Sequence, residues 1–226
     1  MLFAFDCDGV LVDSEIIASE VDAEFLSKAG YEITTEEVTR RFAGLTGPMI
    51  YAQVEAETGQ KLPAGIGAEI RAEIDRRLAS ELKATVGAAA ILDAIEGPRC
   101  VCSNSSGERL KISLTKTGLW DKVRPYVFSA VEVGTKEPKP APNVYAYAAE
   151  QFGVAPREML VIEDSVFGIQ AAKTAGARVI GFAGGRHSWP GHVDLLTEAG
   201  AETVINRFDD LPKIAEAVMS WAGMEE

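Results

Sequence analysis

The 226-residue chain carries 34 acidic and 22 basic side chains, which give a formal net charge of −12. This acidic balance argues against a nucleic-acid partner, because phosphate backbones are bound by basic surfaces. No apolar stretch approaches the roughly 20 residues that cross a bilayer, so no membrane partner is expected. The first residues lack a basic leader, and Cys7, Cys100 and Cys102 are predicted to be reduced core residues. Together these features favour a cytoplasmic location.

Short apolar runs, taken in chain order, are predicted to be buried strands. They are Leu2–Phe5, Cys100–Cys102, Val127–Ser129, Leu160–Ile162 and Val179–Phe182, with a weaker sixth at Thr203–Ile205. Helices are predicted between them at Ala88–Ile95, Arg109–Thr117, Val144–Phe152, Phe167–Ala175 and Asp194–Ala199, four of them followed by the capping glycines Gly118, Gly153, Gly176 and Gly200. Strands that are apolar at consecutive positions and alternate with helices predict an α/β fold. We expect a doubly wound, Rossmann-like, mostly parallel sheet.

The region between the first and second predicted strands does not follow this alternation. It reads as helix almost throughout, at Glu15–Ala29, Thr35–Phe42, Pro48–Thr58 and Gly67–Leu82, with loops at Gly44–Gly47 and Leu62–Gly67. Such a long helical stretch exceeds what one crossover between neighbouring strands needs. We therefore predict two units: an α/β core formed by residues 1–13 and 85–226, and an inserted α-helical cap subdomain formed by residues 14–84.

Polar residues follow three of the predicted strands, at the edge of the sheet where ligands bind in open parallel sheets. They are Asp6 and Asp8 after the first strand, Ser103 and Asn104 after the second, and Glu163 and Asp164 after the fourth, with Lys139 nearby in a proline-rich run. Buried carboxylates are costly without a cation, and Mg²⁺ prefers carboxylates together with phosphate oxygens. A serine hydroxyl and a lysine ammonium suit the oxygens of a phosphoryl group. The two histidines, His187 and His192, have no companion ligands in sequence and are predicted to be surface or structural residues.

These residues resemble the four motifs of the haloacid dehalogenase superfamily of phosphotransferases, in its phosphatase and β-phosphoglucomutase-like branch. Asp6-Cys-Asp-Gly-Val-Leu-Val-Asp13 is similar to the first motif, and Ser103 at the end of Val-Cys-Ser is similar to the second. Lys139 in Lys-Pro-Ala-Pro is similar to the third motif, and Glu163-Asp164 with the following Gly168 is similar to the fourth. The resemblance covers essentially the whole chain, and the insertion corresponds to the helical cap of the family.

The resemblance implies a Mg²⁺-dependent phosphatase that hydrolyses a small phosphomonoester, a sugar phosphate or phosphogluconate, through an aspartyl-phosphate. Asp6 would be the nucleophile, and Asp8 would protonate the leaving alcohol and then activate water. The metal ligands would be Asp6, the Asp8 carbonyl and Asp164, with Glu163 as a direct or indirect partner. The phosphate-binding groups would be Ser103, Asn104 and Lys139, and the cap loop Gly44, Leu45 and Thr46 would reach the substrate. The partner is thus a small phosphorylated molecule, and a monomer is expected.

Two alternatives to a phosphatase stay open at this point. β-Phosphoglucomutases carry a histidine and a cap arginine at positions that align here with Ala18 and Gly47, so a phosphosugar mutase is disfavoured. Arg40 and Arg41 are close enough in sequence to substitute for the arginine, which keeps the mutase alternative open. A non-enzymatic, sugar-phosphate-sensing homologue is the second alternative. Dehalogenation is not expected, because Asp8 is present and dehalogenases of the family lack this residue.

Overall fold

The computed structural model describes residues 1–42 and 45–222 of the chain. Its strands are β1 (Leu2–Phe5), β2 (Arg99–Ser103), β3 (Val127–Ser129), β4 (Met159–Glu163), β5 (Arg178–Phe182) and β6 (Thr203–Ile205). Its helices are α1 (Ser14–Lys28), α2 (Thr35–Arg41), α3 (Gly47–Thr58), α4 (Ile66–Glu81), α5 (Ala88–Ala94), α6 (Gly107–Lys116), α7 (Trp120–Val123), α8 (Asn143–Phe152), α9 (Val166–Ala175), α10 (His192–Glu198) and α11 (Leu211–Ala222).

The six strands form one parallel sheet in the order β3-β2-β1-β4-β5-β6. Alternate residues of β1 enter two different cores: Phe3 and Phe5 pack on one face of the sheet, and Leu2 and Ala4 on the other. Both faces are therefore covered, which explains why the strands are apolar at consecutive positions. The predicted doubly wound α/β fold is confirmed. Because β1 lies in the middle, its carboxyl end is flanked by the ends of β2 and β4.

Helices α1 to α4 occupy the chain between β1 and α5. Thr34 caps α2: its hydroxyl accepts from the Glu37 amide, and the Glu37 carboxylate accepts from the Thr34 amide. Helices α1, α2 and α3 share an apolar cluster that includes Leu26, Val38 and Val54, and α4 packs on α1 through a second cluster that includes Val21 and Ile70. The division into a core unit and a cap unit at residues 14 and 84 stays a prediction.

The two ends of this helical region run side by side. The Asp13 amide donates to the Lys83 carbonyl at 3.0 Å, and the Thr85 amide donates to the Leu11 carbonyl at 3.0 Å. Val12, between them, forms bridges with both Asp8 and Ala84. The chain thus enters and leaves the helical region at one place, directly beside the loop that follows β1.

The structure also contains helices that the sequence pattern did not indicate. Helix α7 is a single turn, too short for a periodic signal, and α11 has Pro212 at its second position, where proline is tolerated. Helix α3 begins at Gly47, so the predicted Gly44–Gly47 loop is shorter, and Gly44 itself lies outside the described residues. No helix in the described part of the chain is both long and apolar enough to cross a membrane.

Candidate active site

A crevice of ≈ 1000 Å³ lies between the carboxyl edge of the sheet and helices α1 to α4. Its floor contains every residue that the sequence places at the strand ends, and its roof comes from the helical region. The predicted strand-end residues are therefore brought together in one site: Asp6, Asp8, Ser103, Asn104, Lys139, Glu163 and Asp164.

The loop after β1 is held tightly against its neighbours. The Asp6 amide donates to the Ile162 carbonyl of β4 at 2.9 Å, and the amides of Leu11 and Val12 both donate to the Cys7 carbonyl. Gly9 has a φ of +81°, and a Cβ at this position would lie 1.9 Å from Asp164 Oδ2. Only glycine fits both the left-handed backbone and the close approach of the Asp164 carboxylate.

Lys139 is a buried ammonium between two carboxylates. Its Nζ lies 2.5 Å from Asp6 Oδ1 and 2.6 Å from Glu163 Oε1, and donates to the Cys102 carbonyl at 2.7 Å. Burial alone would lower the pKa of Lys139, but the carboxylates of Asp6 and Glu163 raise it above its usual value. The side chain is therefore charged, and its three donors are all used within the protein.

Asn104 holds this lysine rather than facing a ligand with its side chain. Its Oδ1 accepts from the Lys139 amide at 2.7 Å, and its Nδ2 donates to the Lys139 carbonyl at 3.3 Å. The side-chain amide thus fixes the backbone on both sides of the Lys139 Cα. The predicted phosphate contact of Asn104 depends on its backbone amide and stays a prediction.

Glu163 is fully enclosed and fully hydrogen-bonded. Oε1 accepts from Lys139 and from the Tyr145 hydroxyl at 3.1 Å, while Oε2 accepts from the amide and the hydroxyl of Ser165. Gly168 makes room for it, because a Cβ there would lie 1.7 Å from Glu163 Oε1. A carboxylate has about four acceptor positions, so the protein itself fills those of Glu163.

Asp8 differs from Asp6 in its partners, although the two residues are only one position apart. Its Oδ1 accepts from the Ser14 hydroxyl at 2.7 Å, and its Oδ2 accepts from Ser105 at 2.7 Å and Ser103 at 3.3 Å. Hydroxyl groups surround Asp8, whereas Asp6 contacts a fixed positive charge. Two carboxylates in such different surroundings are suited to different chemical tasks.

The carboxylates of Asp6, Glu163 and Asp164 fit a divalent cation. Each can offer an oxygen, and these three oxygens lie within 4.8 Å of one another. Burial raises the pKa of both Asp6 and Asp164, and their neighbouring carboxylates raise it further. A bound cation would offset this cost. Since the acceptor positions of Glu163 are filled, Asp6 and Asp164 are the better direct ligands, and Glu163 fits the role of an indirect partner.

The two histidines, predicted to be surface or structural residues, are buried beside Asp164, which fits the structural interpretation. His187 is 8% exposed and His192 is 2% exposed. His187 Nε2 lies 2.9 Å from Asp164 Oδ2, and His192 Nε2 donates to the Asp164 carbonyl at 2.8 Å. Burial lowers the pKa of His192 to about 4, so its ring is neutral at neutral pH. Sequence reasoning missed these contacts because the loop that carries His187, and the start of α10 at His192, return to the site only in the folded chain.

The roof of the crevice contributes further polar groups. Leu45 and Thr46 line it, as the sequence predicts for the cap loop, while Gly44 is not among the described residues. Asp22 on α1 and Tyr51 on α3 also line it, although no motif pointed to them. Asp22 belongs to a polar stripe on α1 that begins at Glu15, a periodic signal present in the sequence.

The carboxyl edge of this open parallel sheet, where ligands of such sheets bind, holds paired aspartates, a buried lysine and a further acidic pair, so the chain is an α/β protein with a candidate cation site at that edge. Comparison with known proteins identifies its family. The chain belongs to the haloacid dehalogenase-like hydrolase family, whose model matches residues 3–182. The predicted family and enzyme class, a phosphoric monoester hydrolase, are thereby confirmed.

Three relatives illustrate this placement. The chain is 34% identical over 187 residues to the 6-phosphogluconate phosphatase of Escherichia coli strain K12, covering 82% of this chain and 84% of the relative. It superposes with a TM-score of 0.93 on a haloacid dehalogenase-like protein of unknown function from Agrobacterium tumefaciens strain C58, at 48% identity and 96% and 97% coverage. It also superposes with a TM-score of 0.83 on a family hydrolase from Deinococcus radiodurans R1 with bound phosphate and sodium, at 30% identity and 96% coverage of both chains.

Proposed function

We propose that the protein is a Mg²⁺-dependent phosphatase that hydrolyses a small phosphomonoester, a sugar phosphate or phosphogluconate, through an aspartyl-phosphate on Asp6. The observation that carries this proposal is the contrast between the two aspartates of the β1 loop. Asp6 lies against the Lys139 ammonium, while Asp8 accepts hydrogen bonds from three serines. The name of the Escherichia coli relative supports the substrate class.

Asp6 and Asp8 have different roles in the reaction, as nucleophile and as proton carrier. The Asp6 carboxylate attacks phosphorus and carries the phosphoryl group, which splits the hydrolysis into two easier displacements. Asp8 holds a proton for the leaving alcohol and later accepts one from the attacking water. Its hydroxyl partners on Ser14, Ser103 and Ser105 hold the carboxylate in place for both transfers.

The remaining residues of the site would bind the metal ion and the phosphoryl oxygens and keep the reacting groups in position. Asp6, Asp164 and the Asp8 carbonyl would hold the Mg²⁺ ion, which when bound neutralises the repulsion between carboxylates and phosphate. Lys139 adds a fixed positive charge beside Asp6, and Asn104 fixes its position. Ser103 and the backbone amides of Asn104 and the β1 loop would hold the phosphoryl oxygens.

The roof helices would act as the cap that covers the substrate, with residues 14–84 as one unit and the sheet as the other. Hydrolysis fits this roof better than mutase chemistry. Ala18 lines the crevice without a titratable group, and a Cβ at Gly47 would lie 2.9 Å from the Tyr51 hydroxyl. Arg41 donates to Glu57 and Tyr31 instead, outside the crevice lining that the described residues form. A monomer in the cytoplasm acting on a small molecule is the setting that we propose.

Phosphate release from p-nitrophenyl phosphate, sorbitol 6-phosphate and 6-phosphogluconate tests this function. We expect turnover with Mg²⁺, loss of turnover with EDTA, and recovery when Mg²⁺ is restored. Asp6→Asn should abolish turnover, because the amide cannot attack phosphorus, and its circular dichroism should match the wild type. Asp121→Asn is the matched control, since its side chain is 80% exposed. Activity of Asp6→Asn above a few per cent of the wild type would contradict the nucleophile assignment.

A further inference from the structure

Helix α1 lays a polar stripe along the roof of the crevice. Glu15, Ala18, Ser19 and Asp22 recur at the spacing of one helical face, and all four line the crevice. The stripe starts next to the proposed proton carrier, because Ser14 donates to Asp8 at 2.7 Å. It ends at Asp22, which lies about two helical turns further along α1 and lines the same cavity.

Asp22 is an unusual residue for such a position. It is only 6% exposed, and in the described part of the chain its hydrogen-bond partner is the Tyr51 hydroxyl, at a long 3.3 Å. A carboxylate can accept about four hydrogen bonds, so most of its capacity is unused. Burial raises the pKa of Asp22 to about 6, which shows that the protein does not compensate this charge. A buried acid that lines a cavity with unused acceptor capacity is suited to bind hydrogen-bond donors of a ligand.

Tyr51 is held beside Asp22 by two glycines. A Cβ at Gly47 would lie 2.9 Å from the Tyr51 hydroxyl oxygen, and one at Gly67 would lie 3.1 Å from its Cε2 atom. The ring therefore fills the space that side chains at these two positions would need. Its hydroxyl is directed at Asp22, and together they make a donor and acceptor pair in the crevice.

The charged side chains of the crevice and the distance along α1 bear on which class of ligand fits. Among the described residues lining the crevice, the lysine and arginine side chains are Lys139, Arg71 and Arg109. The donors of Lys139 are used, whereas Arg109 Nε is buried without a hydrogen-bond partner among the described residues, and the charge of Arg71 acts on Tyr51 within the same crevice. Asp22 itself would repel a carboxylate. Eight residues separate it from Ser14, about 12 Å along a helix, which an extended hexitol chain can span and a glycerol chain cannot.

We propose that Asp22 and Tyr51 form a subsite for the hydroxyl groups at the far end of an extended polyhydroxy leaving group. The inference rests on the proposed phosphatase function and narrows it: the preferred substrate is a polyol or sugar phosphate long enough to place hydroxyl groups at Asp22. Sites built to hydrogen-bond a hydroxyl group discriminate strongly against ligands that lack it. The carboxylate of phosphogluconate would meet Asp22 at this end.

The test compares Asp22→Ala, Asp22→Asn and Tyr51→Phe with the wild type on three substrates. They are sorbitol 6-phosphate, glycerol 3-phosphate and p-nitrophenyl phosphate, with 6-phosphogluconate added for the charge comparison. For Asp22→Ala we expect kcat/KM on sorbitol 6-phosphate to fall about tenfold or more, mainly through KM, because a charge-assisted hydrogen bond is lost. The two short substrates should change by less than about twofold. Tyr51→Phe should show a smaller loss with the same substrate selectivity.

The charge comparison uses Asp22→Asn, which keeps the shape of the side chain and removes its charge. Its ratio of kcat/KM on 6-phosphogluconate to that on sorbitol 6-phosphate should rise above the wild-type ratio. Glu24→Gln is the matched control, because it makes the same change on α1 at a solvent-facing position that pairs with Lys28. We expect no change on any substrate for this control.

The outcomes separate the inference from the proposed function. Equal losses on all substrates, or no loss on sorbitol 6-phosphate, would overturn the subsite while leaving the phosphatase intact. The same holds if the wild type prefers 6-phosphogluconate and Asp22→Asn leaves that preference unchanged. A folded wild-type protein with no Mg²⁺-dependent turnover of any of the four substrates would overturn the proposed function, and the inference with it.

Discussion

Replacing Asp22 by asparagine should stabilise the fold at neutral pH. Burial raises the pKa of this carboxyl from 3.8 to about 6, so the folded protein holds the ionised form at a cost. Because one pKa unit corresponds to about 1.4 kcal/mol, the cost reaches at most about 3 kcal/mol where Asp22 is fully ionised. The raised pKa means that the folded state binds the proton more tightly than the unfolded state. As the pH rises from about 4 to about 6, the wild type therefore loses the stability that protonated Asp22 contributes, and the asparagine variant has no such contribution to lose.

Urea denaturation followed by circular dichroism, at several pH values between 4 and 8 and without Mg²⁺, measures this effect. The difference in free energy of unfolding between Asp22→Asn and the wild type should be near zero at pH 4 and reach its plateau above pH 6. The other charged groups of the crevice lining, among them Glu15, Arg71, Asp75 and Arg109, are unchanged in both proteins. Glu24→Gln should show no such pH dependence. A variant that is less stable than the wild type at pH 7, or a difference that does not vary with pH, would refute the reasoning.

Two further substitutions probe the floor of the site. Lys139→Met should lower the free energy of unfolding by about 3–5 kcal/mol, since it leaves two buried carboxylates without their cation. The control Lys122→Met removes a surface ion pair and should lower the free energy of unfolding by less than about 1 kcal/mol. Thermal melts that show equal losses of stability for the two variants would contradict the argument. Gly9→Ala should displace the Asp164 carboxylate and raise the Mg²⁺ concentration needed for half-maximal activity. Gly30→Ala has a similar backbone, with φ +93°, and no atom within 4 Å of the new Cβ, so an equal effect there would show that backbone strain alone is responsible.

The floor of the site could be predicted from the sequence because short apolar strands end where polar residues begin. Once β1, β2 and β4 are recognised as parallel neighbours, their carboxyl ends must meet at one edge. The positions of Asp6, Ser103 and Asp164 follow from this geometry. What the strand ends could not reveal is the division of hydrogen bonds within the cluster. Two features of this division depend on rotamers and distances. Protein donors fill the acceptor positions of Glu163, and the side chain of Asn104 holds the backbone of Lys139.

The contacts of the two histidines and the burial of the roof residue Asp22 could not be predicted from the sequence, for different reasons. His187 and His192 reach Asp164 through an irregular loop whose path no periodic pattern encodes. Asp22 does lie in a periodic pattern, but a polar residue on a helix usually faces water. Only the packing of α1 over the sheet shows that this face lines the crevice and that Asp22 is buried. A sequence can therefore mark such a residue as part of a stripe, while its burial depends on tertiary structure.

The backbone hydrogen bonds between the two ends of the helical region affect how easily β1 and β2 pair during folding. The two hydrogen bonds that join Asp13 to Lys83 and Leu11 to Thr85 close the base of the helical insertion. Once the helices have folded, β1 and β2 are joined by a short effective loop, whatever the number of residues between them. The entropy of bringing these strands together then depends little on the length of the insertion. The neighbouring strands at the centre of the sheet can thus pair at little extra entropic cost, although α1 to α5 separate them in sequence.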